Sequence, residues 1–264
     1  KSVSVGAQAW QVTVRGTDVF VAASTAGVAK FAGGNLATVA ATFSTTGNGG
    51  GSAYGIASNA SYVYVAAESR AFVVNPGAMT LAGSMTASRA MGVAVASVGS
   101  TTYAYVADET ASTLRLFDVT TPAAIGTLGT LSLPGLSPRG VAVRWPTVTV
   151  TGMYSVGSTA FRVVNVGAPS TPRLVLPVTL PSGAERVAIQ GDHAYVADMT
   201  LGLQVVNVSS PSTPVVQPSP PALDRPFGLA VDGDIAVVGV DNNATRIVGA
   251  EYYLGRNTPV VVLA

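Results

Sequence analysis

The stretch Val187–Pro214 consists of three short apolar runs with a turn sequence after each, and its first run, VAIQ, alternates apolar with small or polar residues. The runs VAIQ and HAYVA flank Gly191-Asp192. This is a hairpin signal, because tight hairpin turns need the positive φ angles that glycine tolerates. LQVVNV follows as a third apolar run. SSPSTP ends the unit, because proline cannot donate a hydrogen bond to a sheet. The pattern predicts antiparallel strands joined by short turns, with no helix.

Imperfect copies of this unit recur from one end of the chain to the other. Each copy begins with a strand-like run built around an apolar anchor, and successive anchors lie 37 to 48 residues apart. The anchors are Val12, Ile56, Val93, Val141, Val187 and Leu229. Second and third strand-like runs follow each anchor. The period, the strand type and the absence of a helix pattern together predict a β-propeller of four-stranded blades.

The predicted fold is all-β, a single six-bladed β-propeller domain over residues 1–264 with four-stranded antiparallel blades. The blades start near residues 10, 54, 91, 139, 185 and 227. The residues after Leu229 and those up to Val12 together are about as long as one further spacing between anchors. This places Ser2–Val5 where the outer strand of the last blade belongs. We therefore expect the N-terminal strand to complete the last blade, which removes open sheet edges.

The sequence YVAD followed by LQVVNVSSPSTP, with VAIQGD before it, resembles the LVIVD-repeat β-propellers of bacterial and archaeal secreted or surface proteins. The resemblance extends over nearly the whole chain and is strongest in Val93–Pro122 and Val187–Pro214. The first and last copies lack the Asn/Asp-Val-Ser-x-Pro tail. The resemblance implies a propeller fold and an extracytoplasmic location, at the cell surface or secreted. It implies no reaction.

Composition and charge limit the possible partners. Only 10% of the 264 residues are charged and the net charge is +1, whereas about 25% of residues are charged in most globular chains. A near-neutral chain lacks the basic surface that nucleic acid requires. The sequence contains no run of about twenty apolar residues, so it predicts no membrane span. The absence of cysteine excludes disulfides and cysteine-ligated zinc. Because the chain begins at Lys1, we expect a monomeric domain of a larger, processed polypeptide.

Candidate binding residues lie at one edge of each blade, where the first strand begins and the second strand ends. We call this the top edge. In a propeller the top edges share one face, and loops on a rigid scaffold often carry function. The candidates before the first strands are Trp10, Tyr54, Arg89, Met91, Arg139, Glu185, Arg186, Arg225 and Phe227. The candidates after the second strands are Glu68, Asp108, Glu109, Tyr154, Asp198 and Asp241.

Acids beside arginines on one face predict a site for a carboxylate, a sugar or a loop of a partner. The alternative interpretation is structural. In that case Asp108 and Asp198 cap their own turns, as aspartates often do, and the arginines pair with them.

Catalytic and metal-binding motifs are missing from the sequence. His193 is the only histidine, so a multi-histidine zinc site is excluded, and there is no Gly-x-Ser-x-Gly elbow. Residues 47–52 are glycine-rich but lack the Lys-Ser/Thr and the helix of a phosphate loop, so they predict a mobile loop. We expect no catalytic residue, no metal site and no cofactor, with structural Ca²⁺ as an alternative.

Three functional hypotheses follow. The first is a non-enzymatic interaction, adhesion or scaffolding module that binds a protein or a glycan through the top-edge loops. The second is a metal-assisted hydrolase or lyase that acts on a sugar or lactone, with Glu68, Asp108, Asp198 and Asp241 around a central metal. The third is a structural spacer within a longer repeat protein, without a ligand of its own.

Overall fold

A computed structural model describes residues 4–154, 160–175, 178, 180, 183–218, 226–233, 235–241 and 247–253 of the chain. The described residues form six antiparallel sheets, a short 3-10 turn at Pro122–Ala124 and no α-helix. No helix in this part of the chain has the length and apolar character needed to cross a membrane. The chain divides into two compact units, Lys1–Ser132 and Leu133–Ala264.

The first unit contains three four-stranded sheets, and in each the strands pair in chain order. Sheet 1 consists of β1 (Gln11–Arg15), β2 (Asp18–Ala22), β3 (Val28–Phe31) and β4 (Ala41–Phe43). Sheet 2 consists of β5 (Ala53–Ser58), β6 (Val63–Ala67), β7 (Arg70–Asn75) and β8 (Thr80–Thr86). Sheet 3 consists of β9 (Ala90–Val98), β10 (Thr101–Asp108), β11 (Thr113–Asp118) and β12 (Gly126–Ser132).

The second unit repeats this arrangement. Sheet 4 consists of β13 (Leu136–Arg144), β14 (Thr147–Tyr154), β15 (Phe161–Asn165) and β16 (Arg173–Leu174). Sheet 5 consists of β17 (Ala184–Gln190), β18 (His193–Asp198), β19 (Gly202–Asn207) and β20 (Val215–Val216). Sheet 6 has three strands among the described residues, β21 (Pro226–Asp232), β22 (Ile235–Asp241) and β23 (Ile247–Tyr253). The prediction of an all-β chain built from antiparallel four-stranded sheets is confirmed.

The hairpin that the sequence predicts at Gly191-Asp192 is present. Gln190 at the end of β17 pairs with His193 at the start of β18, so the two residues between them form the turn. Gly191 has a φ of 55°, a conformation that costs glycine little because it has no Cβ. This turn sets the register of the sheet.

Apolar cores lie between successive sheets within each unit. One cluster joins sheets 1 and 2 and includes Phe20 and Ile56, and a second joins sheets 2 and 3 and includes Tyr64 and Val93. In the second unit one cluster joins sheets 4 and 5 and another joins sheets 5 and 6. Burying one such side chain contributes about 1.5–3 kcal/mol. Stacking of sheet faces therefore stabilises each unit.

The first strands of neighbouring sheets approach one another very closely at glycines. A Cβ added to Gly55 in β5 would lie 2.8 Å from Gly92 Cα and 2.8 Å from Met91 O in β9. A Cβ added to Gly140 in β13 would lie 2.9 Å from Glu185 O and 3.1 Å from Arg186 Cα in β17. These neighbours are backbone atoms, which cannot move aside as a flexible side chain can. Glycine is needed here for the close approach of two strands.

We expect Gly55→Ala to destabilise the protein by about 1–3 kcal/mol, the usual cost of overpacking a tight interface. Gly126→Ala is the matched control, because the added Cβ would have only an ordinary 3.9 Å contact with Asp118 Cβ. Denaturant unfolding followed by circular dichroism measures both variants. Equal stability of the two variants would contradict the close approach of β5 and β9.

Candidate functional site

Five of the six sheets carry a β-bulge at the top edge of the first strand. In sheet 2, Ala53 pairs with Ala67 and Gly55 pairs with Ala66, so Tyr54 is the extra residue. A bulge bends its strand and redirects a side chain. The extra residues are Tyr54, Met91, Arg139, Glu185 and Phe227. Five candidates from the sequence thus occupy one recurrent backbone feature.

Trp10, Tyr54 and Arg89 come from the top edges of sheets 1, 2 and 3 and form a contiguous cluster around the buried Tyr54, which we call the aromatic–arginine row. The rings of Trp10 and Tyr54 meet edge to face, with centroids 5.4 Å apart and planes at 82°. The Arg89 guanidinium carbon lies 5.6 Å from the Tyr54 ring centroid, within the range of a cation–π contact. Arg89 Nη1 is 2.8 Å from Glu109 Oε2. Three sheets therefore position one cluster.

The charge of Arg89 is partly exposed to solvent and is paired with the charge of Glu109. The Arg89 side chain is 41% exposed, whereas that of Glu109 is 11% exposed. The pKa of Arg89 is raised, chiefly by its hydrogen bond with Tyr54, and the charge of Glu109 acts in the same direction, against the effect of burial. The Trp10 indole N–H and the Arg89 Nε are buried and have no hydrogen-bond partner. The row therefore retains two unused donors.

Glu68 lies beside the glycine-rich segment at the top edge of sheet 2. The backbone N–H of Ser52 donates to Glu68 Oε2 at 3.4 Å. A Cβ added to Gly51 would lie 2.4 Å from the same oxygen. The segment expected to be a mobile loop is tied down by hydrogen bonds from Thr45 Oγ1 to Gly51 O (2.6 Å) and from Ser69 Oγ to Gly49 O (2.8 Å). The glycine-rich segment therefore lies against Glu68, whose side chain is exposed at the surface.

Asp108 is fully buried at the end of β10. Its carboxylate accepts hydrogen bonds from the backbone N–H of Ser88 at 2.8 Å and of Arg89 at 2.9 Å. Arg115 Nε also donates to it, at 2.8 Å. These contacts favour the structural interpretation, in which Asp108 fixes the loop that carries Arg89.

Asp198 has the same place at the end of β18 and is also fully buried. Its Oδ1 accepts from the backbone N–H of Thr200 at 3.0 Å and of Leu201 at 2.8 Å. This is the geometry of an Asx turn. Asp198 thus caps the turn that follows the second strand.

A second cluster of charged residues lies at the top edges of sheets 4 and 5. Arg139 Nη1 is 2.6 Å from Glu185 Oε1, and the Glu185 side chain is only 4% exposed. The adjacent Arg186 is 6% exposed, and its Nη1 donates to Glu185 O at 3.2 Å. Burial lowers the pKa of Arg186. The structure therefore brings together three of the predicted candidates.

The other candidates differ in their surroundings. Met91 is buried, Tyr154 packs against the core between sheets 4 and 5, and Phe227 is half-buried. Asp241 is the last residue of β22, and its side chain lies outside the described part of the chain. Arg225 also lies outside the described residues.

The candidate residues chosen from the sequence omit a row of polar side chains on the third strands. Arg115, Arg162 and Gln204 pair with Val106, Val150 and Val196, respectively. The Arg162 guanidinium donates to Phe161 O at 3.1 Å and to Pro134 O at 3.4 Å, and burial lowers its pKa. A long polar residue at the third position is visible in the sequence when the copies TLRLFD, AFRVVN and GLQVVN are aligned.

Within the described ranges, no group of three or more His, Cys, Asp or Glu side chains is arranged to hold a metal ion.

Comparison with solved structures shows the fold. A functionally unknown protein from Desulfotomaculum acetoxidans DSM 771 is 13% identical to this chain and superimposes with a TM-score of 0.80. The match covers 99% of this chain and 87% of the other chain. The hydrazine synthase of Kuenenia stuttgartiensis is 14% identical, with a TM-score of 0.68 and coverage of 92% and 76%. The Pan2 WD40 domain of Neurospora crassa is 12% identical, with a TM-score of 0.59 and coverage of 87% and 71%. WD40 domains are β-propellers, so this chain has a propeller-like fold.

A search of the curated proteins found no match. The sequence pattern of the LVIVD repeat, by contrast, matches residues 182–219, which include strands β17 to β20 of sheet 5. The predicted resemblance is confirmed over this segment, and the chain carries an LVIVD repeat, a repeat that forms propellers.

Proposed function

We propose that this protein is a non-enzymatic binding module that engages a protein partner through the top edges of its sheets. The observation that carries the proposal is the aromatic–arginine row. Trp, Tyr and Arg are the residue types that dominate binding hot spots, and here Tyr54 contacts both Trp10 and Arg89. Side chains already held in place lose less entropy on binding.

The surroundings of the row resemble the rim of a protein interface. Arg89 is flanked by the carboxylate of Glu109 at 2.8 Å, and the exposed Glu68 contributes to the electrostatic field at Arg89. A protein partner that offers an apolar side chain to Trp10 and a backbone carbonyl oxygen to Arg89 would complement the row. A glycan that stacks on Trp10 is the second ligand class that the row would accommodate.

The proposed setting is extracytoplasmic, as a cell-surface or secreted protein, with the domain as one monomeric part of a larger chain. Support comes from the low charged content and the absence of cysteine, together with the LVIVD repeat in sheet 5. The proposed binding needs no cofactor, since the row consists of side chains alone.

We also propose that the six sheets form a closed six-bladed propeller. The anchors Ile56, Val93, Val187 and Leu229 each pack against the sheet before their own within one unit. Ile56 is 2% exposed and Val93 is 3% exposed in their interfaces, whereas the equivalent Val12 in sheet 1 is 53% exposed. Val237 in sheet 6, which corresponds to Phe20 and Tyr64 in the other interfaces, is 43% exposed. Closure would bury both residues in the same kind of apolar core.

The N-terminal segment is proposed to complete sheet 6. Val5 packs on the cluster of Val21, Ala29 and Phe31. These residues lie on the same face of sheet 1 as Val12, because Val12 pairs with Val21. This is the face that a preceding sheet would cover in a closed ring.

Closure predicts that the thiols of the single variants Val12→Cys and Val237→Cys react slowly with a maleimide in the folded protein, because both side chains would lie in an apolar core. The chain has no cysteine of its own, so no other thiol competes. The control is Leu81→Cys, because Leu81 is 46% exposed and lies on the outer strand β8. Mass spectrometry of the intact protein measures labelling over time. Labelling of Val12→Cys and Val237→Cys as fast as that of Leu81→Cys would contradict closure.

The binding proposal predicts that Arg89→Ala weakens retention of the partner about tenfold or more, since truncating a hot-spot residue costs about 2 kcal/mol or more. The immobilised domain is incubated with surface proteins and, separately, with a glycan array, and bound material is quantified. The matched control is Arg144→Ala. Arg144 is 49% exposed and paired with Asp192 at 3.1 Å, at the opposite end of β13.

Three outcomes are informative. Loss of a bound protein with Arg89→Ala and retention with Arg144→Ala would support the proposal. If a glycan binds instead, and its binding is lost with Arg89→Ala and kept with Arg144→Ala, the ligand of the row is a glycan and not a protein. Equal retention by both variants and the unmodified protein would contradict a role for the row.

A further inference from the structure

Arg70 stands at a place where two other sheets carry a small side chain. It is the first residue of β7, at the top edge of sheet 2, and it pairs with Ala67, the last residue of β6. The residue that pairs with the last residue of the second strand is Thr113 in sheet 3 and Gly202 in sheet 5. The fold therefore accepts a small residue at this position and does not require a long cationic side chain there.

The guanidinium of Arg70 makes no hydrogen bond and no ion pair with any described residue. The residue is half-buried, and its Nε is shielded from solvent without a hydrogen-bond partner. Nη1 and Nη2 are not shielded in this way, so the end of the guanidinium that carries most of its N–H donors is open to solvent. Buried polar groups in folded proteins almost always have a partner. The hydrogen-bonding capacity of Arg70 is therefore unused.

Unsatisfied nitrogens are concentrated at the top edges of the first unit. Among the described residues, the buried side-chain nitrogens without a hydrogen-bond partner are Trp10 Nε1, Arg70 Nε and Arg89 Nε. They belong to sheets 1, 2 and 3, and each of them is a donor. These top edges thus offer more donors than their own acceptors satisfy. A ligand that complements them brings oxygen atoms.

The glycine-rich segment fixes the place of the Arg70 guanidinium. Arg70 Cζ and Nη2 lie 4.0 Å from the point where a Cβ of Gly49 would be, which is an ordinary van der Waals distance. The segment is tied to the residue before Arg70, because the Ser69 N–H donates to Gly50 O at 3.0 Å and Ser69 Oγ donates to Gly49 O at 2.8 Å. The guanidinium therefore lies against an ordered backbone, which reduces the entropy lost on binding.

Sheet 3 shows the kind of partner that an arginine in this region takes. Its second strand ends at Asp108, and the Asp108 carboxylate accepts a hydrogen bond from Arg115 Nε at 2.8 Å. The second strand of sheet 2 ends instead at Ala67, which has no carboxylate. Glu68 follows, but no ion pair joins it to Arg70 in this part of the chain. The carboxylate that sheet 3 supplies from its own second strand is thus missing at Arg70.

We propose that Arg70 binds a carboxylate group of a ligand through Nη1 and Nη2. The planar guanidinium matches the two carboxylate oxygens in a bidentate pair, and its terminal nitrogens form the end that is open to solvent. The carboxylate belongs either to a small organic acid or to an acidic side chain of a protein partner. The inference does not rest on the proposed function, because Arg70 is not part of the aromatic–arginine row.

The test uses the whole chain, isotope-labelled for NMR, and follows the Nε–Hε signal of Arg70 and the backbone amide signal of Gly49. Sodium acetate is added in steps, and sodium chloride at equal ionic strength is the reference. We expect both signals to move along one saturating curve with acetate, because the carboxylate binds at a single place. The Nε–Hε signal of Arg144, whose side chain is 49% exposed, is expected to move no more than it does in chloride.

Variants assign the effect to the Arg70 side chain, with the Gly49 amide signal as the readout. Arg70→Gln is expected to weaken acetate binding about tenfold or more, because it removes a charge-assisted bidentate pair. Arg70→Lys keeps the charge without the planar fork and is expected to bind several-fold more weakly than the unmodified protein. Arg144→Gln is the matched control, since it removes an arginine at the opposite end of a first strand, and is expected to leave binding unchanged. The Arg70→Lys variant keeps the proposal testable if Arg70→Gln does not fold.

A short peptide of Glu, compared with its Gln counterpart, distinguishes the two sources of the carboxylate. Arg70-dependent binding of acetate indicates that a free small acid is sufficient, and Arg70-dependent binding of the Glu peptide alone indicates a partner side chain. If neither probe gives a saturating shift at Gly49, or if both Arg70 variants bind as well as the unmodified protein, the proposal is wrong.

Discussion

Packing of one apolar sheet face on the next is the interaction on which this structure depends. A single antiparallel sheet of four strands cannot bury both of its faces. Between sheets 1 and 2, Phe20 and Ile56 share one buried cluster, and between sheets 2 and 3, Tyr64 and Val93 share another. The first strands meet most closely at Gly55 and at Gly140. Repetition of this interface explains how a chain with so few charged residues forms an ordered fold.

The top edges take their geometry from this packing. Once the first strands are fixed, a bulge in each of five sheets directs one side chain to the top edge. The buried carboxylates of Asp108 and Asp198 then hold the adjoining turns. Exposed groups such as Arg89 are displayed on this rigid support, so a ligand that bound there would meet side chains already held in place.

Much of the fold could be predicted from the sequence, because period-two patterns and glycine turns are local signals. The hairpin at Gly191-Asp192 is an example. The roles of the candidate residues were harder to predict, because they depend on neighbours from other sheets. No local sequence pattern shows that Trp10 contacts Tyr54. Nor does one show that the Asp108 carboxylate accepts hydrogen bonds from Ser88, Arg89 and Arg115. The burial of Arg186 also depends on packing between sheets, although its exchange with glycine is visible in the aligned copies.

The closure proposed above would join all six sheets through one repeated interface. Differential scanning calorimetry of the whole chain tests it most directly. A closed ring predicts one cooperative transition, with the calorimetric enthalpy equal to the van't Hoff enthalpy, as for a two-state domain. Two separate transitions, one for Lys1–Ser132 and one for Leu133–Ala264, would show that the units unfold independently and would contradict the claim.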